Sequence, residues 1–325
     1  MFISVVITAY NRKEYLLDAI KSVLNQTLSR ENYEILVIKN FFDVQIDKYC
    51  KDNSIRTINT GDGPQGEHIY KGIIESKGDI IAFLDDDDLY EASKLSSIFE
   101  AFSRYPDLLY YRNDLKVVYI TGKGASDITS GKVDGLDILD VKDVLIKGIR
   151  TFRWNMSCIA IRKQIYLKFL DYVKKIKAAP DLSTFYMALE EGGLFAWDHK
   201  KLTVYRLNEK SMTQIKGEHN DALREYNSLL PLGKHLKKKE ALMDYEKTMC
   251  KIRAISIWDG AHASRREMIG IPVKFLRGRI SNGYDFSIFA FIIFIALFAG
   301  LFGANSLKSV RKAVDKLWHY ENKYS

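Results

Sequence analysis

The run Asp79-Ile80-Ile81-Ala82-Phe83-Leu84 ends in four consecutive aspartates, Asp85 to Asp88. A short β-branched run bounded by Gly78 reads as a buried strand. Carboxylates crowded at a strand's C-terminal end repel one another unless a cation offsets them. In open α/β sheets that edge is also where ligands bind. Oxygen ligands of this kind suit Mg²⁺ or Mn²⁺, which in turn suit a diphosphate. Taken alone, the cluster also reads as a solvated acidic turn, or as an N-cap for a helix from Leu89 onward. It is no EF-hand loop: counting from Asp85, the sixth position is Tyr90 rather than Gly and the twelfth is Ser96 rather than Glu.

The segments before the cluster alternate. Phe2–Thr8 reads as a strand, Glu14–Gln26 as an amphipathic helix with Leu16, Ile20, Val23 and Leu24 on one face, and Glu34–Ile38 as a second strand. Ile55–Asn59 reads as a short third strand and Gly66–Lys77 as a helix closed by Gly78. A further helix, Glu91–Tyr105, stops before Pro106. Such alternation predicts an α/β fold with a doubly wound, mostly parallel sheet. Beyond Pro106 the pattern loosens. Leu108–Arg112, Val117–Ile120, Met156–Ile161 and Leu202–Arg206 read as strands, residues 121–138 as a loop, and residues 164–178 as a basic helix. From Asp221 to about Met268 the chain reads as helix rich in Lys and Arg.

The chain has 325 residues and a net charge of +8, which points to an anionic partner: nucleic acid, a membrane surface or a phosphorylated substrate. Cys50, Cys158 and Cys250 have neither metal-ligand spacing nor the even count of a disulfide framework, so they read as buried small hydrophobes in a reducing compartment. No secretory signal peptide is expected, because Phe2–Thr8 is too short and lacks a basic flank. Phe286 to Leu307 is a different matter: its 22 residues carry no charge. At about 1.5 Å per residue, such a run can cross a hydrocarbon core of roughly 30 Å. A buried core helix is the alternative.

Several chemistries find no motif. There is no Walker A sequence, no zinc spacing and no G-x-S-x-G elbow. Gly61-Asp62-Gly63-Pro64-Gln65-Gly66 fits G-x-G-x-x-G. A dinucleotide fingerprint, however, follows the first strand, where this chain has Thr8-Ala9-Tyr10-Asn11-Arg12. The glycine segment is better read as a flexible loop near an active site, with Gln65 offered to the ligand. The basic stretch Lys234 to Lys239 lacks the interleaved aromatics of a nucleic-acid surface, so no nucleic-acid partner is expected. A face against anionic lipid, or a solvated helix face, accounts for it.

Three segments together resemble glycosyltransferase family 2, of the GT-A fold. They are Val5-Val6-Ile7-Thr8-Ala9-Tyr10-Asn11-Arg12, the helix end Ser22-Val23-Leu24-Asn25-Gln26, and Gly78 through Asp88. The acidic cluster corresponds to that family's D-x-D motif. Tyr205-Arg206-Leu207-Asn208-Glu209-Lys210-Ser211 is similar to its Y-R-x-H-x-x-S. With an apolar C-terminal run, the chain resembles the membrane-attached, cellulose-synthase-like members, including archaeal enzymes acting on lipid-linked glycans. The resemblance divides the chain into a GT-A domain over 1–215, a basic helical membrane-interface region over 216–280, and a transmembrane or re-entrant helix with an amphipathic tail over 281–325.

The resemblance implies transfer of a hexose, such as mannose or glucose, from a nucleoside-diphosphate sugar. The acceptor would be a lipid-linked glycan or a polyprenyl phosphate. It assigns Asp87 to a Mn²⁺ or Mg²⁺ ion, Asp85 to the metal or the ribose, and Asp86 to the nucleotide sugar. Thr8, Ala9, Tyr10 and Asn11 would cradle the nucleoside. The implied mechanism is inverting, which requires a carboxylate to take the acceptor's proton. The candidate is Asp181, in the short loop before the apolar-periodic segment Phe185, Ala188, Leu189, where family members commonly carry an acidic pair. Glu190 and Glu191 stand in reserve, and an ordinary N-cap is the competing reading of Asp181.

Three departures from the family pattern stand out. Lys39-Asn40 replaces the usual acidic residues after the second strand, which leaves the nucleotide open and Asn40 as a possible donor to a base edge. Ile69-Tyr70 replaces a frequent Arg-Asn pair, and Asn208 stands where His is common. Lys274, Arg277 and Arg279 precede the apolar run, so a membrane location with the catalytic domain facing the cytoplasm is expected. Lys308, Arg311, Lys312 and Lys316 follow it, and with Val310, Val314 and Leu317 they fit a tail lying on the membrane surface. The other classes are a nucleotidyltransferase, which shares the need for metal and diphosphate, and a non-catalytic membrane scaffold.

Overall fold

Four parallel strands make the half of the sheet that carries the acidic run. In a computed structural model of the chain they are β1 (Ile3–Ala9), β2 (Tyr33–Lys39), β3 (Arg56–Asn59) and β4 (Ile80–Asp85), in the order β3-β2-β1-β4. The structure describes residues 1–121, 124–127, 134–147, 155–207 and 221–258. The chain divides into two compact units, Met1–Lys216 and Gly217–Ser325.

β1, β2 and β4 are nearly continuous apolar runs because both faces of the sheet are covered. On one face lies α1 (Leu16–Leu24), which buries Leu16, Ala19, Ile20 and Val23 with Val5 and Ile7. α2 (Val44–Asp52) also packs on this face, through Ile46 and Cys50. The opposite face takes α3 (Gln65–Glu75). A Cβ on Gly72 would lie 2.4 Å from Val6 Cγ1, so the glycine lets α3 approach the strand. The sequence does not predict α2: only Ile46 and Cys50 of its nine residues are buried, with Tyr49 partly so, too thin a stripe to read. Its start is set by Asp43, whose carboxylate accepts from the Gln45 and Ile46 N–H groups at 3.1 Å each.

The second half of the sheet corrects the expectation of a mostly parallel array. β5 (Leu89–Tyr90) leads into α4 (Lys94–Arg104), then β6 (Leu108–Thr121), β7 (Gly124–Asp127), β8 (Leu136–Leu139) and α5 (Val141–Lys147). A 3₁₀ turn at Met156–Cys158 precedes β9 (Ile159–Arg162), α6 (Lys163–Lys168), α7 (Leu170–Val173), α8 (Pro180–Glu191) and β10 (Leu194–Leu207). β9 enters between β4 and β6 and runs antiparallel to both, while β6 and β10 are parallel. β5 and β8 pair antiparallel with β10, and β7 with β6. Apolar runs look alike whichever way the neighbour runs, so direction was not readable locally.

Other expectations shift with it. The two strands expected in 108–120 are one continuous β6, and the stretch read as a loop carries β7 and the start of β8. The basic helix is broken at buried Phe169, which closes α6 and opens α7. The last strand starts eight residues earlier than Leu202, at Leu194. Asp181 lies in the first turn of α8, not in a loop.

In the second unit the expected single helix is interrupted. α9 (Asp221–Leu229) gives way at Leu230–Lys234 to a 3₁₀ turn containing Pro231, and α10 spans Lys239–Trp258. Tyr245 of α10 folds over that turn, its hydroxyl donating to the Leu229 carbonyl at 3.0 Å. No helix among the described residues is long and apolar enough to cross a membrane. The run Phe286–Leu307, its basic flanks Lys274, Arg277 and Arg279, the tail from Lys308, and Asn208 to Ser211 all lie outside the described residues.

Candidate active site

The register of β1 and β4 sets Thr8 opposite Asp85. The Thr8 hydroxyl donates to Asp85 Oδ1 at 3.3 Å. Ala9 is buried, and the chain then leaves the sheet through Tyr10 and Asn11. Asn11 takes a left-handed conformation, φ 53°, which asparagine tolerates better than most residues. Its N–H donates to Asn40 Oδ1 at 2.8 Å, and Asn40 Nδ2 donates back to Asn11 Oδ1 at 2.8 Å and to Asp62 at 2.9 Å. Asn40, expected at a base edge, thus joins the ends of β1 and β2 to the glycine loop. Lys39 points the other way. Its fully buried ammonium donates to the Phe41 carbonyl at 2.6 Å and to Asn59 at 3.1 Å, and pairs with Asp47 at 3.1 Å. Tyr10 is exposed and meets the His68 ring edge-on, centroids 5.5 Å apart.

Gln65 opens α3 with its side chain exposed. Gly66 behind it serves packing: its N–H donates to the Ile176 carbonyl at 2.9 Å, and a Cβ there would lie 2.1 Å from the Val173 carbonyl oxygen. That N–H is spent on the protein, so the glycine segment does not offer the phosphate cradle of a dinucleotide fingerprint.

The four aspartates have four different settings. Asp85 ends β4, and its N–H donates to Ser157 Oγ at 3.0 Å. Protein packed round its carboxyl, followed by the charges of Asp88, Asp87 and Asp86, raises its pKa well above the usual carboxylate range, with the Thr8 hydrogen bond opposing. Asp86 is buried; burial raises its pKa, while the hydrogen bond and charge of Arg12 pull it down. Asp87 is more open and pairs with Arg12 at 2.8 Å. Asp88 is fully buried and accepts from Asn155 Nδ2 at 2.8 Å and from the Arg206 N–H at 3.2 Å. Burial, then the charge of Asp87, pushes its pKa up to about 7. The expected N-cap role of Asp88 does not hold, because α4 begins six residues later and Ser93 precedes it.

Two arginines hold this turn. The Arg12 guanidinium forks onto both oxygens of Asp86 and reaches Asp87. Burial disfavours its charge, yet the contacts with Asp86 and then Asp87 outweigh that and raise its pKa. Arg206, near the end of β10, donates through Nε to the Asp87 carbonyl and through Nη1 to Asp18 at 3.2 Å, and lies over the Tyr15 ring. Sequence patterns assign no role to Arg12, although it closes the segment Val5–Arg12, and none to Ser157 or Asn155. Position was the local signal for all three: Arg12 lies just past β1, the other two just before β9.

Asp181, the expected base, sits in the first turn of α8 after Ala179, whose left-handed φ of 51° is unusual for a residue bearing a Cβ. Ala179 is the N-cap and Pro180 the first helical residue, so Asp181 stands two positions inside the N-cap. One turn on, the Thr184 hydroxyl reaches Met156 Sδ at 3.8 Å, next to Ser157. The N-terminal half of α8 therefore packs against the 3₁₀ turn that also carries Ser157. Burial, with an added contribution from the Asp181 charge, raises the pKa values of Tyr110 and Tyr166. Glu191 pairs with Lys168 at the far end of α8.

Among the described residues, no group of three or more His, Cys, Asp or Glu side chains is placed to hold a metal ion by itself. The donor set nonetheless suits Mg²⁺ or Mn²⁺. It is all oxygen, its negative charge is crowded enough to shift Asp85, and these ions are commonly held by one or two carboxylates plus substrate phosphates.

Residues 4–119 match the family described as Glycosyl transferase family 2. An uncharacterised glycosyltransferase of Rickettsia bellii is 34% identical over 138 residues, 41% of this chain and 19% of that protein. The minor teichoic acid biosynthesis protein GgaA of Bacillus subtilis is 23% identical over 261 residues, 70% of this chain and 56% of that protein. Both alignments span less than two thirds of the relative's length. The crystal structure of residues 1–349 of S. aureus TarS in complex with UDP superposes with a TM-score of 0.64 at 13% identity, over 97% of this chain and 92% of that one. The fold is mixed α/β and GT-A-like.

Proposed function

We infer that the chain is a metal-dependent, inverting glycosyltransferase that moves a hexose from a nucleoside-diphosphate sugar to a lipid-linked or polymeric glycan acceptor. The observation that carries this reading is the turn Asp85–Asp88 at the C-terminal end of β4, facing Thr8 at the end of β1. The similarity to a teichoic acid biosynthesis protein and the net charge of +8 both support an acceptor rich in phosphate. The same charge and the apolar run Phe286–Leu307 support attachment to a membrane, with the N-terminal domain on its cytoplasmic side.

Each residue then has a task. Asp87 and Asp85 would hold Mn²⁺ or Mg²⁺, and such an ion would supply positive charge to a departing diphosphate. Thr8, Ala9, Tyr10 and Asn11 receive the nucleoside, with the Asn11–Asn40–Asp62 network setting the floor. Asp86 and Asp88, both buried, keep the turn in shape through Arg12, Asn155 and Arg206. Asp181 takes the proton of the attacking hydroxyl.

A screen of nucleoside-diphosphate sugars with Mn²⁺ tests the reading. Release of a nucleoside diphosphate with transfer of the sugar is the expected result. Release of pyrophosphate when a nucleoside triphosphate and a sugar 1-phosphate are supplied instead would mean a nucleotidyltransferase. Binding of no nucleotide, with or without Mn²⁺, would leave a scaffold that retains the fold.

A further inference from the structure

Arg12 occupies the carboxylate that the metal needs. Its side chain is 23% exposed, against 5% for Asp86 and 14% for Asp87. Nε reaches Asp86 Oδ2 at 3.1 Å, and Nη2 is shared between Asp86 Oδ1 and Asp87 Oδ2, the latter at 2.8 Å. The two contacts are unequal. Asp86 is held by the full fork, and as a nearly buried carboxylate it needs a permanent partner. Asp87 is held by one nitrogen and has more solvent around it, so that contact can be given up without burying a bare charge.

We propose that Arg12 is a resident counter-cation, which competes with the divalent ion for Asp87 and makes metal binding contingent on the nucleotide diphosphate. The inference rests on the reading of Asp87 as a metal ligand. Without nucleotide, the guanidinium offsets the charge of the turn and weakens the metal's hold. The diphosphate brings negative charge that favours the ion over Arg12 at Asp87, while Asp86 retains the fork. Because binding couplings are reciprocal, Arg12 also makes the metal more dependent on nucleotide and nucleotide more dependent on metal.

The experiment is titration of Mn²⁺ alone, read by the electron paramagnetic resonance signal of the free ion. It uses the full chain and variants whose folding is checked by their melting curves. Arg12→Gln should bind Mn²⁺ about tenfold more tightly than the wild type, since a cation in contact with a carboxylate commonly shifts its occupancy by that much or more. Loss of a positive charge could do this without any contact, and Arg12→Gln leaves Asp86 buried without its fork. The combined Arg12→Gln, Asp86→Asn variant answers both points, because it conserves net charge and leaves a neutral pair in place. It too should bind Mn²⁺ more tightly than the wild type. Lys13→Gln removes a neighbouring charge that pairs instead with Asp43 at 2.8 Å, and should leave the affinity unchanged. Unchanged or weaker binding in the two Arg12 variants, or equal tightening by Lys13→Gln, overturns the proposal. If Asp87→Asn abolishes Mn²⁺ binding while the Arg12 variants do not alter it, this proposal alone falls. If Asp87→Asn has no effect, or the wild type binds no Mn²⁺ with or without nucleotide, the metal assignment falls and takes the proposal with it.

Discussion

The main-chain N–H of Arg206 donates to Asp88 Oδ1 at 3.2 Å, which ties the end of the last strand to the acidic turn. The Arg206 side chain adds a second tie, to the Asp87 carbonyl and to Asp18. Arg206→Met removes the side-chain contacts and spares the main-chain bond. Charged hydrogen bonds of this kind contribute about 1.5–3 kcal/mol each where they are protected from solvent. Urea denaturation should show a loss at the lower end of that range, with a fall in sugar transfer. A variant as stable and as active as the wild type would show that Arg206 merely rests against the turn.

Asp87→Ala should abolish transfer and weaken nucleotide binding in Mn²⁺ while leaving the melting temperature nearly unchanged. The fold depends on the buried neighbours Asp86 and Asp88 rather than on this more open carboxylate. Full activity of the folded variant would remove Asp87 from the metal site.

Asp181→Asn should cost no more than about 1 kcal/mol of stability, because Asn keeps the side chain's shape and loses only the charge that favours a helix's first turn. Transfer should fall by about two orders of magnitude or more, with donor binding retained. Near-normal transfer would move the search for the base to Glu190 and Glu191.

Lys94 is buried behind the acidic turn, where its ammonium donates to the Ser157 carbonyl and to Thr203 Oγ1, the latter at 2.7 Å, and lies 3.9 Å from the Tyr90 ring centroid. Burial lowers its pKa from 10.5 to about 7, against the opposing charges of Cys158, Asp88 and Asp198. Between those two values the unfolded chain binds the proton and the folded chain does not, so this group's contribution to stability rises with pH across that window. The stability of the wild type relative to Lys94→Met should therefore rise between pH 7.5 and 9.5, by at most about 1.4 kcal/mol per pH unit. A difference that stays flat would show that Lys94 keeps its proton in the folded state.

Gly72→Ala tests the approach of α3 to β1. The added Cβ would lie 2.4 Å from Val6 Cγ1, so Val6 or the helix must shift. Overpacking of this kind costs typically about 1–3 kcal/mol. Val6→Ala made in the same chain should recover part of that loss. An additive loss in the double variant would place the strain elsewhere.

Much of the parallel half was legible from residues close in sequence. Leu16, Ile20 and Val23 marked the buried face of α1, and the apolar run into Asp85 marked β4 and the end of the sheet where the carboxylates gather. These features depend on local periodicity and burial, which a run of side chains reports directly. α2 is not legible because its buried stripe is only Ile46 and Cys50, and the helix start at Pro180 is not legible because Ala179-Pro180 reads as a break.

By itself the sequence determined the strand that ends in Asp85 to Asp88, the helices that cover it, and a crowd of carboxylates requiring a counter-charge. Only the tertiary structure decided which groups supply that charge. Arg12 reaches Asp86 across 74 residues of chain, Ser157 meets Asp85 across 72, and Arg206 meets Asp88 across 118. It likewise turned Lys39 under α2 and ran β9 against its neighbours. The physical reason is one of range. Whether a side chain faces core or solvent follows from its neighbours in sequence. Which distant donor satisfies a buried carboxylate, and in which direction a strand re-enters the sheet, depends on how the whole chain closes on itself.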